Sequence, residues 1–345
     1  MKRRNFIQNS SLVSAGILFG SPVLNAMKIY KDVIIGHNNH KYKVDLNWGA
    51  LNSNFYPVNN CHEMVQDSKG RIILLTDDTK NNVIVYDKSG KLIEAWGTEY
   101  PGAHGLTLNV ENGKDFLYIA DNKRHEVIKT TIDGKVVQVF KFPKESGKYD
   151  DPAKYIPTET AIAANGDVYV ADGYGSQYIM HYNEKGELLN TFGGRGTEDH
   201  LFGNAHGIVI DTRNNADPTL LITDRMQNKF KRFSMDGKYL STIHLPGAYV
   251  CRPVIHKEYI YTATIWSGDG SMGTGFISIL DGDNKLVSAP GGSTPTYNDD
   301  GTLQPMHQAL KIFQNPHDVC IDDDENLYIA QWNSGKTYPI KLTRV

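Results

Sequence analysis

Cysteine is scarce in this sequence, and its spacing excludes some familiar frameworks. Only Cys61, Cys251 and Cys320 occur among 345 residues, and no two of them form a CxxC pair, so a zinc ribbon or a redox motif of that kind is excluded. Because the number is odd, at most one disulfide can form and at least one thiol is left over. With 40% hydrophobic residues, the chain has enough apolar material to fold around a buried core.

The sequence also lacks a large excess of charge of one sign and a long internal apolar run. Its formal net charge is −3, and without a basic run it has no electrostatic footprint for a nucleic-acid partner. No segment beyond the N-terminal region approaches the roughly 20 apolar residues that a membrane-spanning helix needs. The chain does have 19 tyrosines, 32 glycines and many short apolar runs, which is typical of β-structure.

The first 26 residues have the pattern of an export signal. A basic stretch with Arg3 and Arg4 is followed by a mildly apolar stretch over residues 11–24, and Ala26 suits the last position before a cleavage site. We predict a twin-arginine signal peptide over residues 1–26 and a periplasmic or secreted mature protein. A membrane anchor is the alternative, but the apolar run is shorter than the roughly 20 residues of a spanning helix.

Internal repeats are the most informative pattern in the chain. A short strand followed by Asp recurs, and a further strand and a turn containing Gly come after it. Clear copies end at Asp77, Asp121, Asp172 and Asp224, and degenerate copies at Ala263 and Gln331. Six units recur at roughly 40 to 50 residues, the spacing of propeller blades. We therefore predict an all-β fold, a six-bladed β-propeller over residues 27–345.

The last repeat predicts how the ring closes. It runs out of chain after its third strand, residues 338–343, and we expect residues 41–48 to supply the fourth. Such closure protects the edge of the last sheet. Residues 289–314, rich in Gly, Pro and Asn, are expected to form a long loop, and long loops in compact domains are often functional.

Three histidines precede the innermost strands of alternate repeats. They are His104, His206 and His317, in units two, four and six, so a six-fold ring places them around one axis. Three histidines that leave one position open are the arrangement of catalytic zinc. We predict a metal site, with zinc the default for histidine ligands and iron, copper or nickel as alternatives. Structural histidines that cap inner strands are the other interpretation.

The same alignment identifies two more candidate side chains on the ring. In unit one it places His62, which could be a fourth ligand, a proton carrier or a bystander. In unit five it places Cys251 or Arg252. Arg252 would put a cation beside the metal, where it could hold a substrate carboxylate. We therefore include His62 and Arg252 among the candidate catalytic residues.

On these motifs the chain resembles the lyase domain of peptidyl-glycine α-amidating enzymes, a six-bladed propeller of NHL-type repeats. The resemblance covers almost the whole predicted mature chain, and the family's three zinc histidines match His104, His206 and His317. The family's catalytic tyrosine matches Tyr174 in an Asp-Gly-Tyr motif, and its Asp-Arg pair matches Arg225. The resemblance implies cleavage of an α-hydroxyglycine carbinolamide to an amide and glyoxylate.

The chemistry implied by the resemblance is physically coherent. A metal polarises a hydroxyl or lowers the pKa of a bound water. A nearby positive charge favours the ionised form of a tyrosine, which can then act as a base. An arginine can stabilise a carboxylate or a developing negative charge.

The resemblance also implies a structural calcium ion, and it has one clear departure. The Asp318 side chain and the carbonyls of Leu106 and Met64 match the family's calcium ligands. Asp77 stands where the family has an arginine that is essential to its chemistry. An acid at that place would repel a substrate carboxylate. The resemblance therefore supports the fold and the metal site more strongly than it supports the substrate.

Several functions remain open at this point. The first is an exported metal-dependent lyase, by resemblance a carbon–nitrogen lyase, acting on a carbinolamide or a related hydroxy compound of small-molecule or peptide nature. A propeller lyase or hydrolase that acts on a carbohydrate is a variant of it. A non-enzymatic NHL-repeat binding propeller is the second, since the fold alone does not fix function. A calcium-dependent lactonase ranks last, because its site would be rich in carboxylates. We expect a monomer.

Overall fold

The computed structural model describes residues 33–345, so the predicted signal peptide over residues 1–26 lies outside the described residues. The described part consists of short strands and turns, with single-turn 3-10 helices at Lys144–Ser146, Pro152–Lys154 and Arg225–Gln227. No helix in this part is long and apolar enough to cross a membrane. Its architecture is therefore all-β, as the sequence predicts.

The strands form six antiparallel sheets arranged as the blades of a propeller. In chain order they are β1 (Ile34–His37), β2 (His40–Asp45), β3 (Cys61–Gln66), β4 (Ile72–Thr76), β5 (Val83–Tyr86), β6 (Leu92–Trp96), β7 (Ala103–Glu111), β8 (Lys114–Asp121), β9 (Glu126–Thr131), β10 (Val136–Phe140), β11 (Glu159–Ile162), β12 (Val168–Ala171), β13 (Tyr178–Tyr182), β14 (Leu188–Gly193), β15 (Ala205–Asp211), β16 (Thr219–Asp224), β17 (Lys229–Phe233), β18 (Tyr239–His244), β19 (Ala248–Val250), β20 (Val254–His256), β21 (Tyr259–Ser267), β22 (Phe276–Leu280), β23 (Leu286–Ser288), β24 (Pro316–Ile321), β25 (Leu327–Gln331) and β26 (Ile340–Arg344).

Each blade is one sequence repeat. Blades one to four are β3–β6, β7–β10, β11–β14 and β15–β18, blade five is β19–β23, and blade six joins β24–β26 to β2 and β1. The innermost strand of a blade is the first in the repeat, and in blade five this strand is split into β19 and β20, which both pair with β21. The six-bladed prediction is confirmed.

An N-terminal strand closes the ring, as the last repeat predicts. Strand β2 pairs antiparallel with β26 through Tyr42 with Arg344 and Val44 with Leu342. The observed strand is shorter than the predicted residues 41–48, and β1 adds an outer strand that the sequence does not predict. Just after β2, the Trp48 indole packs against the rings of Tyr86 and Tyr328, which anchors the closing strand to blades one and six.

The core lies between neighbouring blades, so both faces of a blade are covered. Every residue of β4 and β5 is buried, which explains why these strands are continuous apolar runs and do not alternate. One cluster joins Leu75 and Val85 of blade one to Leu106 and Ile119 of blade two. This packing fixes the position of the innermost strands around the axis. In the described part, all three cysteines are buried free thiols.

Candidate metal centre and active site

Four histidines occupy irregular positions at the start of innermost strands. The pairing of each of these strands with its neighbour is interrupted at His62, His104, His206 and His317. A β-bulge takes a residue out of the regular alternation of a strand and re-aims its side chain. All four imidazoles are buried and meet at the channel axis, so His62 shares the position of the three predicted ligands.

The imidazoles are close enough to share one ion. The Nε2 atoms of His104 and His206 lie 3.2 Å apart, and two nitrogens at 2.0–2.1 Å from a tetrahedral zinc ion would be about 3.4 Å apart. The ring centroid of His317 lies 4.8 Å from that of His104 and 5.0 Å from that of His206. The spacing of the predicted ligand set therefore fits a single metal ion.

His62 belongs to the same cluster and gives a second possible set of three ligands. Ligand atoms of His62, His104 and His317 all lie within 4.8 Å of one another. His104 and His317 are common to both sets, whereas His206 and His62 are alternatives for the third position. The predicted set His104, His206 and His317 and the alternative set His62, His104 and His317 therefore both stay candidates.

Backbone carbonyls orient two of the imidazoles. His104 Nδ1 lies 2.9 Å from the carbonyl oxygen of Thr158, and His317 Nδ1 lies 3.0 Å from that of His62. Each carbonyl belongs to the next blade, and it requires Nδ1 to carry the proton. Nε2 is then left as the free ligand atom, as in metal sites whose second nitrogen is held by a hydrogen bond. In the described part, His317 Nε2 is buried without a hydrogen-bond partner.

The electrostatic surroundings keep these histidines neutral. Burial lowers the pKa of His104, His206 and His317 well below the usual value, and neighbouring histidines and the Arg225 guanidinium lower it further. Metal binding requires neutral imidazole. The cluster thus holds its ligands in the form that a metal needs.

The Tyr174 hydroxyl lies directly against the histidines. It is 3.0 Å from His104 Nε2 and 3.2 Å from His206 Nε2. The tyrosine follows β12 in a turn, and 41% of its surface is exposed, so the ring borders an open cavity while its hydroxyl points inward. Burial raises the pKa of Tyr174, and the Arg225 guanidinium opposes that shift.

Arg225 is buried beside Tyr174 and has a donor to spare. It follows β16, as the sequence motif predicts, and its Nη2 donates to Cys251 Sγ at 3.3 Å. Its guanidinium lies 5.9 Å from the centroid of the Trp266 ring. Within the described residues, Nε is buried with no hydrogen-bond partner. Because an unmade hydrogen bond of a buried charged group is costly, this donor is suited to an anionic ligand.

Two cavities share Tyr174 and Trp332 in their walls, and the smaller of them is lined by histidines of the cluster. The larger, about 320 Å³, is lined by Tyr174, Gln177, Arg195, Arg225, Trp266 and Trp332 among others. The smaller, about 220 Å³, is lined by His62, Asp77, His104, Lys123, Tyr174 and Trp332 among others. One side of the site is therefore aromatic and cationic, and the other carries the carboxylate of Asp77. The sequence interpretation missed the two tryptophans, although Trp332 directly follows Gln331, the end of a degenerate repeat copy.

Asp77, the residue that replaces the family arginine, faces His62. Its Oδ2 lies 3.7 Å from His62 Nε2. Its oxygens accept hydrogen bonds from the Asn60 backbone N–H and side-chain amide, both at 2.9 Å, and from the Asn59 amide at 3.0 Å. Burial raises the pKa of Asp77, but the nearby His62 imidazole and the hydrogen bonds from Asn60 outweigh it and hold the pKa below its usual value.

Arg252 lies elsewhere than the sequence interpretation assumed. Its Nε donates to Asp318 Oδ1 at 3.2 Å and its Nη2 to Asp318 Oδ2 at 2.7 Å and to the Met64 carbonyl at 3.2 Å. Nη1 donates to the Leu106 carbonyl at 2.8 Å and lies 3.5 Å from Glu63 Oε2. The five N–H donors of a guanidinium all face protein acceptors. The predicted catalytic role is therefore corrected, because no donor remains for a substrate carboxylate.

The three groups predicted to bind calcium converge, but on this guanidinium. The Asp318 carboxylate and the carbonyls of Leu106 and Met64 are all acceptors of Arg252. Glu159 Oε2 lies a further 3.8 Å from Arg252 Nε. The calcium ion implied by the resemblance does not fit here, since a cationic side chain already occupies the position between its ligands.

Comparison with known proteins bears on these assignments. A family model described as a 6-bladed β-propeller matches residues 159–274. Peptidyl-α-hydroxyglycine α-amidating lyase 1 of Drosophila melanogaster is 27% identical over 284 residues, which are 71% of this chain and 46% of that protein. This chain is similar in sequence to an amidating lyase over most of its length. The resemblance predicted from the sequence is confirmed.

Other amidating proteins match in part. A probable amidating lyase of Caenorhabditis elegans is 31% identical over 110 residues, which are 31% of this chain and 30% of that protein. Peptidyl-glycine α-amidating monooxygenase of Mus musculus is 21% identical over 251 residues, which are 70% of this chain and 23% of that protein. The chain spans less than half the length of these curated relatives, so their whole activities are not transferred to it.

Solved structures with the same fold include other propeller enzymes. A streptogramin B lyase has a TM-score of 0.54 at 15% identity and covers 83% of this chain and 94% of its own. A gluconolactonase from Xanthomonas campestris has a TM-score of 0.59 at 11% identity and covers 91% of this chain and 96% of its own. At such identities the likeness shows the fold alone.

Proposed function

We propose that this protein is an exported metal-dependent lyase that cleaves a carbinolamide or a related hydroxy compound. The observation that carries the proposal is the convergence of His104 Nε2, His206 Nε2 and the Tyr174 hydroxyl within 3.2 Å of one another. Homology to the amidating lyases supports the reaction class. The substrate would be a small molecule or a peptide with this group at its end.

We assign the metal ligands to His104, His206 and His317, with zinc as the expected ion and the imidazoles binding through Nε2. A bound ion would supply polarisation of the substrate hydroxyl. The observations in favour are the unpartnered Nε2 of His317, the neutral state of the three rings and the spacing between them. His62 is assigned either as a further ligand or as a proton carrier.

Tyr174 is assigned to proton transfer. In the proposed reaction the carbinol hydroxyl loses its proton, the carbon–nitrogen bond breaks as the carbon–oxygen double bond forms, and the departing amide nitrogen gains a proton. A phenol oxygen that accepts the first proton can return it to the nitrogen. Tyr174 lines both cavities, and its hydroxyl lies at the histidines, so we place the substrate beside this side chain. The Arg225 guanidinium favours its ionised form.

Arg225 is assigned to a substrate carboxylate. The family arginine is absent, and Asp77 would repel an anion in the smaller cavity. The Arg225 Nε is buried with no hydrogen-bond partner among the described residues, and Arg225 lines the larger cavity. A neighbouring cavity of about 530 Å³ is lined by Lys148, Lys154 and Arg195. The cationic side of the site therefore provides the path for an anionic substrate, and Trp266 and Trp332 provide an apolar surface beside it.

The test uses the protein without residues 1–26. Metal content is measured after purification, followed by glyoxylate release from α-hydroxyhippurate. We expect about one equivalent of zinc, loss of metal and activity in His317→Ala, and retained metal with at least a hundredfold lower kcat in Tyr174→Phe, the scale of general acid–base catalysis. His244→Ala is the control, since His244 is exposed on the outer strand β18.

The possible outcomes separate the metal site from the reaction. Absence of a bound transition metal would refute both. Metal without glyoxylate release would retain the metal centre and refute this substrate class.

We also propose that residues 1–26 direct export to the periplasm or the medium, which fractionation of cells that produce the full chain would test.

A further inference from the structure

A second ring of residues lies next to the histidines along the channel. Each innermost strand contributes the residue that follows its histidine or the equivalent position: Glu63, Gly105, Glu159, Gly207, Arg252 and Asp318. The ring therefore contains three carboxylates and one cation. All four charged side chains are buried, and Arg252 is the most exposed at 8%.

Arg252 is the centre of this ring. Its guanidinium contacts acceptors on blades one, two and six, namely the Met64 and Leu106 carbonyls and the Asp318 carboxylate, at 2.7–3.2 Å. The carboxylates of Glu63 and Glu159 lie 3.5 and 3.8 Å away. One side chain of blade five thus joins four other blades across the axis, with five oxygen-bearing groups around one positive charge.

Two glycines make this arrangement possible. A Cβ atom on Gly207 would lie 2.6 Å from the Arg252 Cα, and a Cβ atom on Gly105 would lie 2.4 Å from the Thr158 carbonyl oxygen and 3.0 Å from the Glu159 Cα. Any larger residue would force the neighbouring strands apart. The absence of side chains at these two positions allows Glu159 and Arg252 to approach the axis.

The carboxylates are not fully satisfied by the protein. Among the described residues, Glu63 Oε1 and Glu159 Oε2 are buried with no hydrogen-bond partner. The other oxygens accept backbone N–H groups, from Leu106 to Glu63 at 2.5 Å and from Met64 to Asp318 at 2.9 Å. Several buried carboxylate oxygens around one point repel one another, and a cation among them or a proton on one of them relieves that repulsion.

We propose that the Arg252 guanidinium is a built-in replacement for a divalent cation, so that the folded propeller does not require calcium. Carboxylate and carbonyl oxygens are the ligands that Ca²⁺ prefers, and here the same kinds of groups surround a side chain. Removal of that side chain would leave three carboxylates and two carbonyls around a vacated position. Arg252→Ala should therefore bind calcium although the wild-type protein does not.

The test measures thermal unfolding and calcium binding, and it is independent of the lyase activity. The wild type, Arg252→Ala and Arg213→Ala are dialysed into calcium-free buffer containing zinc, and each is unfolded with and without added CaCl₂. Arg213 is the matched control, because it also pairs with a carboxylate, Asp211 at 2.7 Å, but among the described residues it forms no ion pair with the carboxylates of this ring. Calorimetric titration with CaCl₂ follows.

We expect no change of the wild-type Tm with calcium, a lower Tm for both variants, and recovery by calcium in Arg252→Ala only. Titration should show one calcium site in that variant. A wild-type protein that retains calcium after dialysis, or whose Tm rises when calcium is added, would overturn the proposal. So would an Arg252→Ala protein that folds and fails to respond. If this variant cannot be purified, wild-type calcium content decides the matter.

Discussion

At the scale of single residues, a bulge in each of four innermost strands determines where the histidines point. A regular strand would direct successive side chains to opposite faces of the blade, into the packing between blades. The interruption at His62, His104, His206 and His317 turns the side chains toward the axis. Because His62 has the same bulge as the predicted ligands, residue type and local geometry together define a cluster of four.

Asp77→Asn tests how the fourth histidine is oriented. The carboxylate faces His62 Nε2 at 3.7 Å and carries negative charge, so the amide would weaken that pairing. Loss of such an outer partner at a metal site costs about 10- to 100-fold in activity or metal affinity. We expect kcat for α-hydroxyhippurate to fall about tenfold with KM nearly unchanged.

The neighbouring acid provides the control for this measurement. Asp78→Asn removes a carboxylate that accepts the Lys80 backbone N–H at 3.0 Å and has no contact with the histidines among its hydrogen bonds. Its kinetics should match the wild type. A normal kcat in Asp77→Asn would show that the Asp77–His62 contact has no part in the reaction. A rise of kcat/KM would instead show that the acid only repels the substrate.

At the scale of elements, the close approach of innermost strands holds the site together. Strands β7 and β11 meet where Gly105 faces the start of blade three, and the Thr158 carbonyl there orients His104 through Nδ1. The same carbonyl would lie 2.4 Å from a Cβ atom added to Gly105. The Thr158 carbonyl therefore both orients a candidate metal ligand, His104, and excludes a side chain at Gly105.

Gly105→Ala should damage both stability and metal binding. Overpacking of a well-packed core costs about 1–3 kcal/mol in free energy of unfolding, and separation of the strands would stretch the hydrogen bond from His104 to Thr158. Urea unfolding and zinc affinity measure the two effects. Gly282→Ala is the control, because the nearest atoms to its added Cβ lie 3.9 Å away. Wild-type zinc affinity in Gly105→Ala would contradict this role of the strand contact.

At the scale of the whole molecule, ring closure and ligands on separate blades couple the metal to the fold. The candidate ligands come from blades one, two, four and six, and β2 joins the N-terminal part of the described chain to β26. An ion bound by three or four blades stabilises only the closed ring, since the unfolded chain cannot bring the ligands together. Metal binding must then add to the stability of the entire propeller.

Removal of zinc should lower the Tm, and zinc should restore it. A ligand at about a thousand times its Kd contributes about 4 kcal/mol to folding stability, which corresponds to a Tm change of several degrees in a protein of this size. Differential scanning calorimetry before and after treatment with a zinc chelator measures the change. In His104→Ala the chelator should have no effect. An equal decrease in wild type and variant would place the zinc outside this cluster.

The sequence by itself determined the number of blades, the closing strand and the equivalence of the histidine positions. These follow from local repeats, because each blade packs its own strands in the same order and a motif's place in the repeat fixes its place in the ring. The tyrosine and arginine after the second strands of blades three and four came from the family resemblance, and the structure brings both near the histidines.

Only the tertiary structure decided what surrounds these motifs. Arg252 donates hydrogen bonds to the Leu106 and Met64 carbonyls, which are 146 and 188 residues away in the chain. No local sequence pattern reveals that its N–H groups bind there. The pairing of Asp77 with His62 and the meeting of Trp266 with Trp332 likewise depend on how the blades are placed around the axis. Repeats fix which residues face the channel, whereas contacts between blades fix which of those residues remain free to bind.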